Sequence, residues 1–464
     1  MFGTLESRID PSAEKPRAMA PTLDGAVENV AWGGDDEGLE EARVQTRRRR
    51  LRHVVVVFFM VIAAVTIAWG LGGAGHPSPR PRTGTSSSDS GGTTGSSNGT
   101  APIVLDGQSV NTVVPFGAKT LWVFTVNEEA VSGGGQGIEL TTNGGLSWTD
   151  ATPRGLNVDG GDHWIGNFGA LSATDAFIVF GHIDSGPQII EMTQDAGRTW
   201  SKVGTLPTPP GGCELQFVNV HDGTCTVLGG ALGSMTVSVF RTANGGASWR
   251  KVYANTPNTT SATKGAIPFA CDKRIDFINA RTGFALFFCN AGSGADVEES
   301  LNGGSYWTER PVVQPSAVPE GGGGFSGPPV FDGLNGAVPY SVGTLSEVYV
   351  TNNGGLTFHP VYPPDRRKRW VEDIASPTIW RLTYGKEILA TNNAGKSWFT
   401  VTSDTVLQTN DYGSLTAPGG IVQFTTPNDG WLTENEAAVH SLLLRTTDGG
   451  RRWRTVFVPG TKRL

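Results

Sequence analysis

The sequence predicts an all-β chain built from repeated four-stranded sheets, and two patterns in its 464 residues carry that prediction. The first is an octapeptide, Ser/Thr-x-Asp/Asn-x-Gly-x-x-Trp/Phe. It occurs as TTNGGLSW from Thr141, TQDAGRTW from Thr193, TANGGASW from Thr242, SLNGGSYW from Ser300, TNNGGLTF from Thr351, TNNAGKSW from Thr391 and TTDGGRRW from Thr446. The seven copies start about 40–60 residues apart, the spacing of an architectural repeat. The second pattern lies upstream of each octapeptide: an apolar strand, a short polar turn and another apolar strand, as in FGALSATDAFIVFG, IDFINARTGFALFF and VQFTTPNDGWLTE. These are the first two strands of a unit. A third leads into the octapeptide, and a fourth follows it, as in WSKVGTL after Thr199. Four strands in each of seven units predict a seven-bladed β-propeller. Stacked blades bury faces that a lone sheet leaves wet, and ring closure suppresses free edges.

Each octapeptide has a local physical logic. The third residue is Asn143, Asp195, Asn244, Asn302, Asn353, Asn393 or Asp448, and its side chain can bond backbone N–H groups ahead of it. Gly at the fifth position permits positive φ. The eighth residue is Trp148, Trp200, Trp249, Trp307, Phe358, Trp398 or Trp453, and it re-enters a strand under the turn. The octapeptides resemble the Asp-box, or BNR, repeat of sialidases, sortilin-type receptors and photosystem II assembly factors, here in a membrane-anchored bacterial type of chain. The resemblance implies a structural hairpin between the third and fourth strands of a blade, away from any active centre. Five of the seven copies carry Asn, which cannot act as a general acid or base, and this favours the structural role.

Ahead of the repeats the composition changes three times. Residues 1–46 hold ten Asp and Glu against four Lys and Arg without apolar periodicity, and read as a disordered acidic tail. Residues 47–72 combine Arg47, Arg48, Arg49, Arg50 and Arg52 with the uncharged 18-residue stretch 54–71, long enough to cross a bilayer as a helix. The arginines precede the span, so the positive-inside rule expects a cytoplasmic N-terminus and an extracytoplasmic propeller. A cleaved export signal is the alternative; the span is long for a signal core, which favours an uncleaved anchor. Residues 73–101 are a Gly/Ser/Thr/Pro-rich linker with a reach of roughly 30 Å. Residues 102–464 form the propeller. The formal net charge of −7 gives no general case for nucleic-acid binding.

Cys213, Cys225, Cys271 and Cys289 all follow the span. An even count in an oxidising compartment suggests two disulfides. Three connectivities exist, and the local pairs Cys213–Cys225 and Cys271–Cys289 are preferred because each brackets the first hairpin of a blade; buried free thiols are the alternative. No CxxC or neighbouring His supports zinc. The last blade has its own fourth strand after Trp453, while residues 101–106, APIVLD, offer a clasp across the ring.

In this layout the octapeptides and the first-hairpin turns share one edge. Inter-blade links and second-to-third-strand loops share the other, where loops vary without disturbing packing. Its most distinctive link is PPDRRKRW, with Arg366, Arg367, Lys368 and Arg369 beside Trp370. It reads either as a solvated charged loop or as a docking site for an acidic partner, since the guanidinium fork pairs with carboxylates. The second candidate, NVDGGDHW, holds Asp159, Asp162, His163 and Trp164, and lacks a recognised Ca²⁺-ligand pattern. Glu128, Glu129, Asp296, Glu298, Glu299, Glu434 and Glu436 supply further acids, a pair of which could hydrolyse glycosides at suitable separation. Sialidase activity is disfavoured: Arg274-Ile275-Asp276, the nearest match to that family's Arg-Ile-Pro element, has Asp in place of Pro and sits in the fourth blade. Gly321 to Gly324 form a loop without the Lys of a phosphate site. No catalytic set, cofactor or metal site emerges. The chain therefore reads as a membrane-tethered binding or assembly module for a protein or polymer, with a glycan hydrolase as the alternative.

Overall fold

The computed structural model describes residues 108–456 apart from 128–134, 155–162, 183–185, 208–211, 231–233, 290–294, 315–322, 343–344, 367, 369, 408–418 and 437–439. The acidic tail, the apolar span, the linker and the 101–106 clasp lie outside these residues. Among the described residues every named strand pairs antiparallel, and no helix occurs. Four-stranded meanders follow one another at residues 108–150, 163–205, 214–254, 272–310, 330–361, 371–402 and 419–456, called repeats 1 to 7.

Repeats 1, 2, 3, 6 and 7 are separate four-stranded sheets, but repeats 4 and 5 merge into a nine-stranded one. The extra strand, Gly323–Phe325, pairs with Phe288 and Cys289 on one side and with Tyr340, Ser341 and Val342 on the other. The glycine run expected to be a loop thus ends as a strand. A Cβ at Gly324 would lie 2.1 Å from the Phe288 ring, and one at Gly323 would lie 2.6 Å from the Tyr340 hydroxyl. Only backbone without side chains threads that gap.

The octapeptide hairpins use one hydrogen-bond pattern throughout. In repeat 1 the Thr141 hydroxyl donates to Asn143 Oδ1 (3.0 Å) and accepts the Gly145 N–H (2.9 Å). Asn143 Oδ1 also accepts the Ser147 N–H at 2.9 Å. The same hydroxyl-to-carboxamide or hydroxyl-to-carboxylate bond recurs at Thr193, Thr242, Ser300, Thr351, Thr391 and Thr446. Positive φ extends to the fourth residue as well as the fifth, at 57–77° and 76–98° respectively. Ala196 and Ala394 occupy the fourth position, because the left-handed well near 60° tolerates a methyl at modest cost.

The fourth residue's N–H then leaves the octapeptide. Gly144, Ala196, Gly245, Gly303, Gly354, Ala394 and Gly449 donate to carbonyls of Lys119, Thr174, His221, Arg281, Leu334, Thr378 and Asn428 at 2.7–3.0 Å. Every acceptor lies in the first-hairpin turn of the same repeat, so the two turns share an edge. Those turns carry a second motif. Ser172, Asn219, Asn279, Ser376 and Thr426 each accept N–H groups two and three residues ahead.

The apolar cores lie between repeats. Trp122, Ile138, Ile165 and Ile178 join repeats 1 and 2; Val179, Ile190, Leu215 and Phe217 join 2 and 3. Val239, Phe277, Ala285 and Trp307 join 3 and 4, while Phe284, Tyr340 and Phe358 join 4 and 5. Val348, Trp380 and Leu382 join 5 and 6, and Ile388, Phe424 and Leu432 join 6 and 7. A further cluster of Val110, Val113, Leu121, Val123, Trp431 and Leu443 joins repeat 7 to repeat 1. Each octapeptide rests on the preceding repeat: a Cβ at Gly197 would lie 2.4 Å from Ala151, and one at Gly145 would lie 2.1 Å from Val456.

Cys213 and Cys225 form a disulfide with Cα atoms 5.4 Å apart. Cys271 is also disulfide-bonded. Its expected partner, Cys289, has a side chain outside the described ones; its backbone lies one step beyond the Asp272–Phe288 pair, opposite Cys271.

Trp200 links repeats 1 and 2, packing on the first core while its indole N–H donates to the Ala151 carbonyl at 2.8 Å. Trp200→Ala is expected to lower unfolding free energy by about 3–5 kcal/mol, read from denaturant midpoints. An unchanged midpoint would contradict the packing role.

Candidate functional site

The edge opposite the octapeptides is built from inter-repeat links and second-to-third-strand hairpins, which bond to one another. The Met235 N–H donates to the Phe269 carbonyl, and the Leu407 N–H to the Gly385 carbonyl. In each pair one residue belongs to a link and the other to a hairpin.

The link between repeats 3 and 4 is held by side chains that serve its backbone. The Tyr253 hydroxyl accepts the Ile267 N–H at 2.6 Å. Asn255 Oδ1 accepts the Val237 N–H, also at 2.6 Å. Lys273 is buried, and its ammonium donates to the carbonyls of Cys271 (2.6 Å) and Phe269 (3.2 Å). Burial brings its pKa down to about 8.

The link between repeats 5 and 6 carries the basic run. Arg366 pairs with Glu347, a fully buried carboxylate in the third strand of repeat 5 (Leu345–Thr351), and its guanidinium stacks 4.1 Å from the Tyr362 ring centroid. Lys368 Nζ lies 2.6 Å from Glu387 Oε2 and 3.9 Å from Asp365 Oδ2, and sits over the rings of Trp370 and Tyr384. The bond to Glu387 is the main cause that raises the lysine's pKa. Trp370 is 3% exposed, with its indole N–H donating to the Asp365 carbonyl at 2.8 Å. The run is therefore no open row of cations at Arg366 and Lys368. It is a staple whose charges are matched by Glu347, Asp365 and Glu387. Trp370 belongs to the core between repeats 5 and 6. Arg367 and Arg369 lie outside the described residues.

Glu347 and Glu387 are not among the acids that stand out in the sequence. A glutamate inside an otherwise apolar strand, as in LSEVYV, is the signal that points to a buried partner.

Asp159, Asp162, Glu128 and Glu129 also fall outside the described residues. His163 and Trp164 begin the first strand of repeat 2, opposite His182 and Gly181, with side chains outside the described ones. Glu299 is bound by Arg310 at 2.6 Å. Glu298 is buried and directly opposes Glu309 across two strands. Burial, with Glu309 next, pushes its carboxyl up to about 7. Asp373 accepts the Phe424 N–H at 2.6 Å, tying the first strand of repeat 6 to that of repeat 7, and burial takes it to about 7. Glu139, opposed by Asp150, is pushed up to about 8 by burial first and then by Asp150. No group of three or more potential metal ligands is present among the described residues.

No protein-family model matches the chain, and no curated protein matches it. Among solved structures, one described as YCF48 bound to D1 peptide aligns with a TM-score of 0.43 at 15% identity, over 74% of this chain and 94% of that one. YCF48 from Cyanidioschyzon merolae aligns at 0.41 and 13%, over 73% and 98%. A structure from an analysis of two prolyl endopeptidases aligns at 0.50 and 13%, over 76% of this chain but only 50% of that one. Such likeness bears on the fold alone, which is all-β and of β-propeller type.

Glu139, Glu298 and Asp373 all have folded-state pKa values above their reference values. Stability from such groups is full below the unfolded pKa and is lost as pH rises through the folded one. The thermal midpoint is thus expected to fall between about pH 5 and pH 8. Glu139→Gln should flatten that fall and exceed the parent midpoint at pH 8. A parent midpoint that rises over this range would refute the assignment.

Proposed function

We propose that the chain is a closed seven-bladed propeller, held outside the cytoplasm by the apolar span 54–71, that binds a protein or polymer partner through its link edge. The observation that carries this reading is the division of labour between the edges. The octapeptides spend their hydroxyls, carboxamides and carboxylates on their own hairpins, and their fourth-residue N–H groups on the first-hairpin turn of the same repeat. The link edge has longer and chemically varied loops, and its described ones are pinned by side chains. A pinned surface loses little conformational entropy when a partner arrives. In the 5–6 link, exposed Asp365 and partly exposed Arg366 and Lys368, with Glu387 of the third strand of repeat 6, offer both signs of charge beside Tyr362. The membrane tether rests on the arginine-flanked span, and the Cys213–Cys225 disulfide fits an oxidising compartment.

Glycan hydrolysis is kept as a second reading because of one observation. Glu298 faces Glu309, and a carboxyl near pH 7 suits a general acid. Fluorogenic glycosides offered to the full chain, with Glu298→Gln as the control, test it.

The binding reading is tested by photo-crosslinking in native membranes. A photoreactive residue at Lys368 is expected to give a discrete adduct, and the same residue at Asn244 on the octapeptide edge none. Adducts from Asn244 alone would overturn the assignment of the binding edge.

A further inference from the structure

We infer that the ring opens at one place, the seam between repeats 7 and 1, and that Arg445 is its latch; this rests on the closed-ring reading above. At the other six seams the chain itself runs from one repeat into the next. Repeats 7 and 1 are joined by no chain link and, among the described residues, by no strand pair. Each is a sheet of its own four strands.

What holds this seam is the apolar cluster around Trp431 and Leu443 together with Arg445. Arg445 reaches from the third strand of repeat 7 (His440–Thr446) to both turns of repeat 1. Its Nη2 donates to the Ala118 carbonyl at 2.9 Å and its Nη1 to the Gly144 carbonyl at 3.3 Å. Asp429 Oδ1 lies 3.4 Å away, and the guanidinium sits 5.4 Å from the Trp431 ring centroid. Arg241 occupies the matching position at the 3–4 seam, one residue before its octapeptide, but that seam is also crossed by chain.

Among the described residues the seam is also the least satisfied part of the interior. Twelve buried side-chain atoms among the described residues lack a hydrogen-bond partner, and six of them are here: Glu139 Oε2, Trp148 Nε1, Gln423 Oε1, Trp431 Nε1, Thr433 Oγ1 and Arg445 Nε. Strand register sets them on the facing sides, since Glu139 opposes Val123, Gln423 opposes Trp431, and Thr433 opposes Leu443. Trp148 packs on the same cluster. An orphaned buried polar atom regains a partner when water reaches it, so hydration favours the open seam here more than elsewhere. Among the described residues, opening parts two sheet faces and breaks no strand hydrogen bond.

Two adjacent residues of one strand report on this. Leu443 faces repeat 1 and is 1% exposed; Leu444 faces repeat 6 and is 6% exposed. No described cysteine is free to compete. Leu443→Cys and Leu444→Cys, each in the full chain, are labelled with a maleimide under native conditions. Cys at 443 is expected to react at least about tenfold faster than at 444, despite its lower static exposure. Arg445→Met should speed labelling at 443 by about tenfold or more and leave 444 unchanged. Arg241→Met should alter neither. Should Leu443→Cys not fold, Val123→Cys reports from repeat 1, with Ala390→Cys at the 6–7 seam for comparison; both sites are fully buried. Equal slow labelling at both positions, or an Arg445→Met effect on both alike, overturns the seam inference and leaves the ring intact. Labelling at 443 at the rate of a free exposed thiol, with 444 protected, overturns the closed ring itself.

Discussion

One backbone bond organises the molecule: the N–H of the octapeptide's fourth residue donating to a carbonyl in the first-hairpin turn of its own repeat. It forces the two hairpins of a meander to finish at a common edge. That edge is then saturated with local hydrogen bonds, and chemical variety is displaced to the other side. The Thr or Ser hydroxyl at the first position makes this possible. It holds the carboxamide or carboxylate still and accepts the fifth-residue N–H, so the fourth N–H points outward. Positive φ at both the fourth and fifth residues is the backbone cost of that geometry.

Stability lies between the sheets rather than within them. Each apolar cluster draws on two repeats, so a meander alone would leave both faces wet. The charged residues obey the same geometry. Arg381 is 1% exposed and spends its guanidinium on the carbonyls of Trp380, Thr391 and Pro427, the last in the next repeat. Glu347 and Glu387 draw Arg366 and Lys368 back onto the sheets and make a stiff surface of the 5–6 link. Surface cations that look available in a sequence are here partly committed to the fold, which shifts attention from single charges to the shape and mixed polarity of the whole link edge.

Much of the architecture was legible in the sequence because its signals are local. An Asn or Asp three residues into the octapeptide acts on N–H groups within four residues of itself. Alternating apolar residues report strand faces without knowledge of neighbours. The merger of repeats 4 and 5 was not legible. Gly323–Phe325 becomes a strand only because Phe288 and Tyr340 stand on either side of it, far away in sequence. The contacts of the 5–6 link were only partly legible for the same reason. PPDRRKRW advertises its cations, but the two glutamates that hydrogen-bond them, Glu347 and Glu387, each lie 19 residues away.

The sequence by itself determined the repeat, the turn chemistry and the all-β character, since each depends on residues that meet within one hairpin. Tertiary structure alone decided which charges are free, which aromatic residues enter a core, and how repeat 7 meets repeat 1. Those outcomes depend on contacts such as Arg445 with Ala118, separated by 327 residues. No local pattern encodes such a pairing, because only the packed sheets bring its two ends within hydrogen-bond reach.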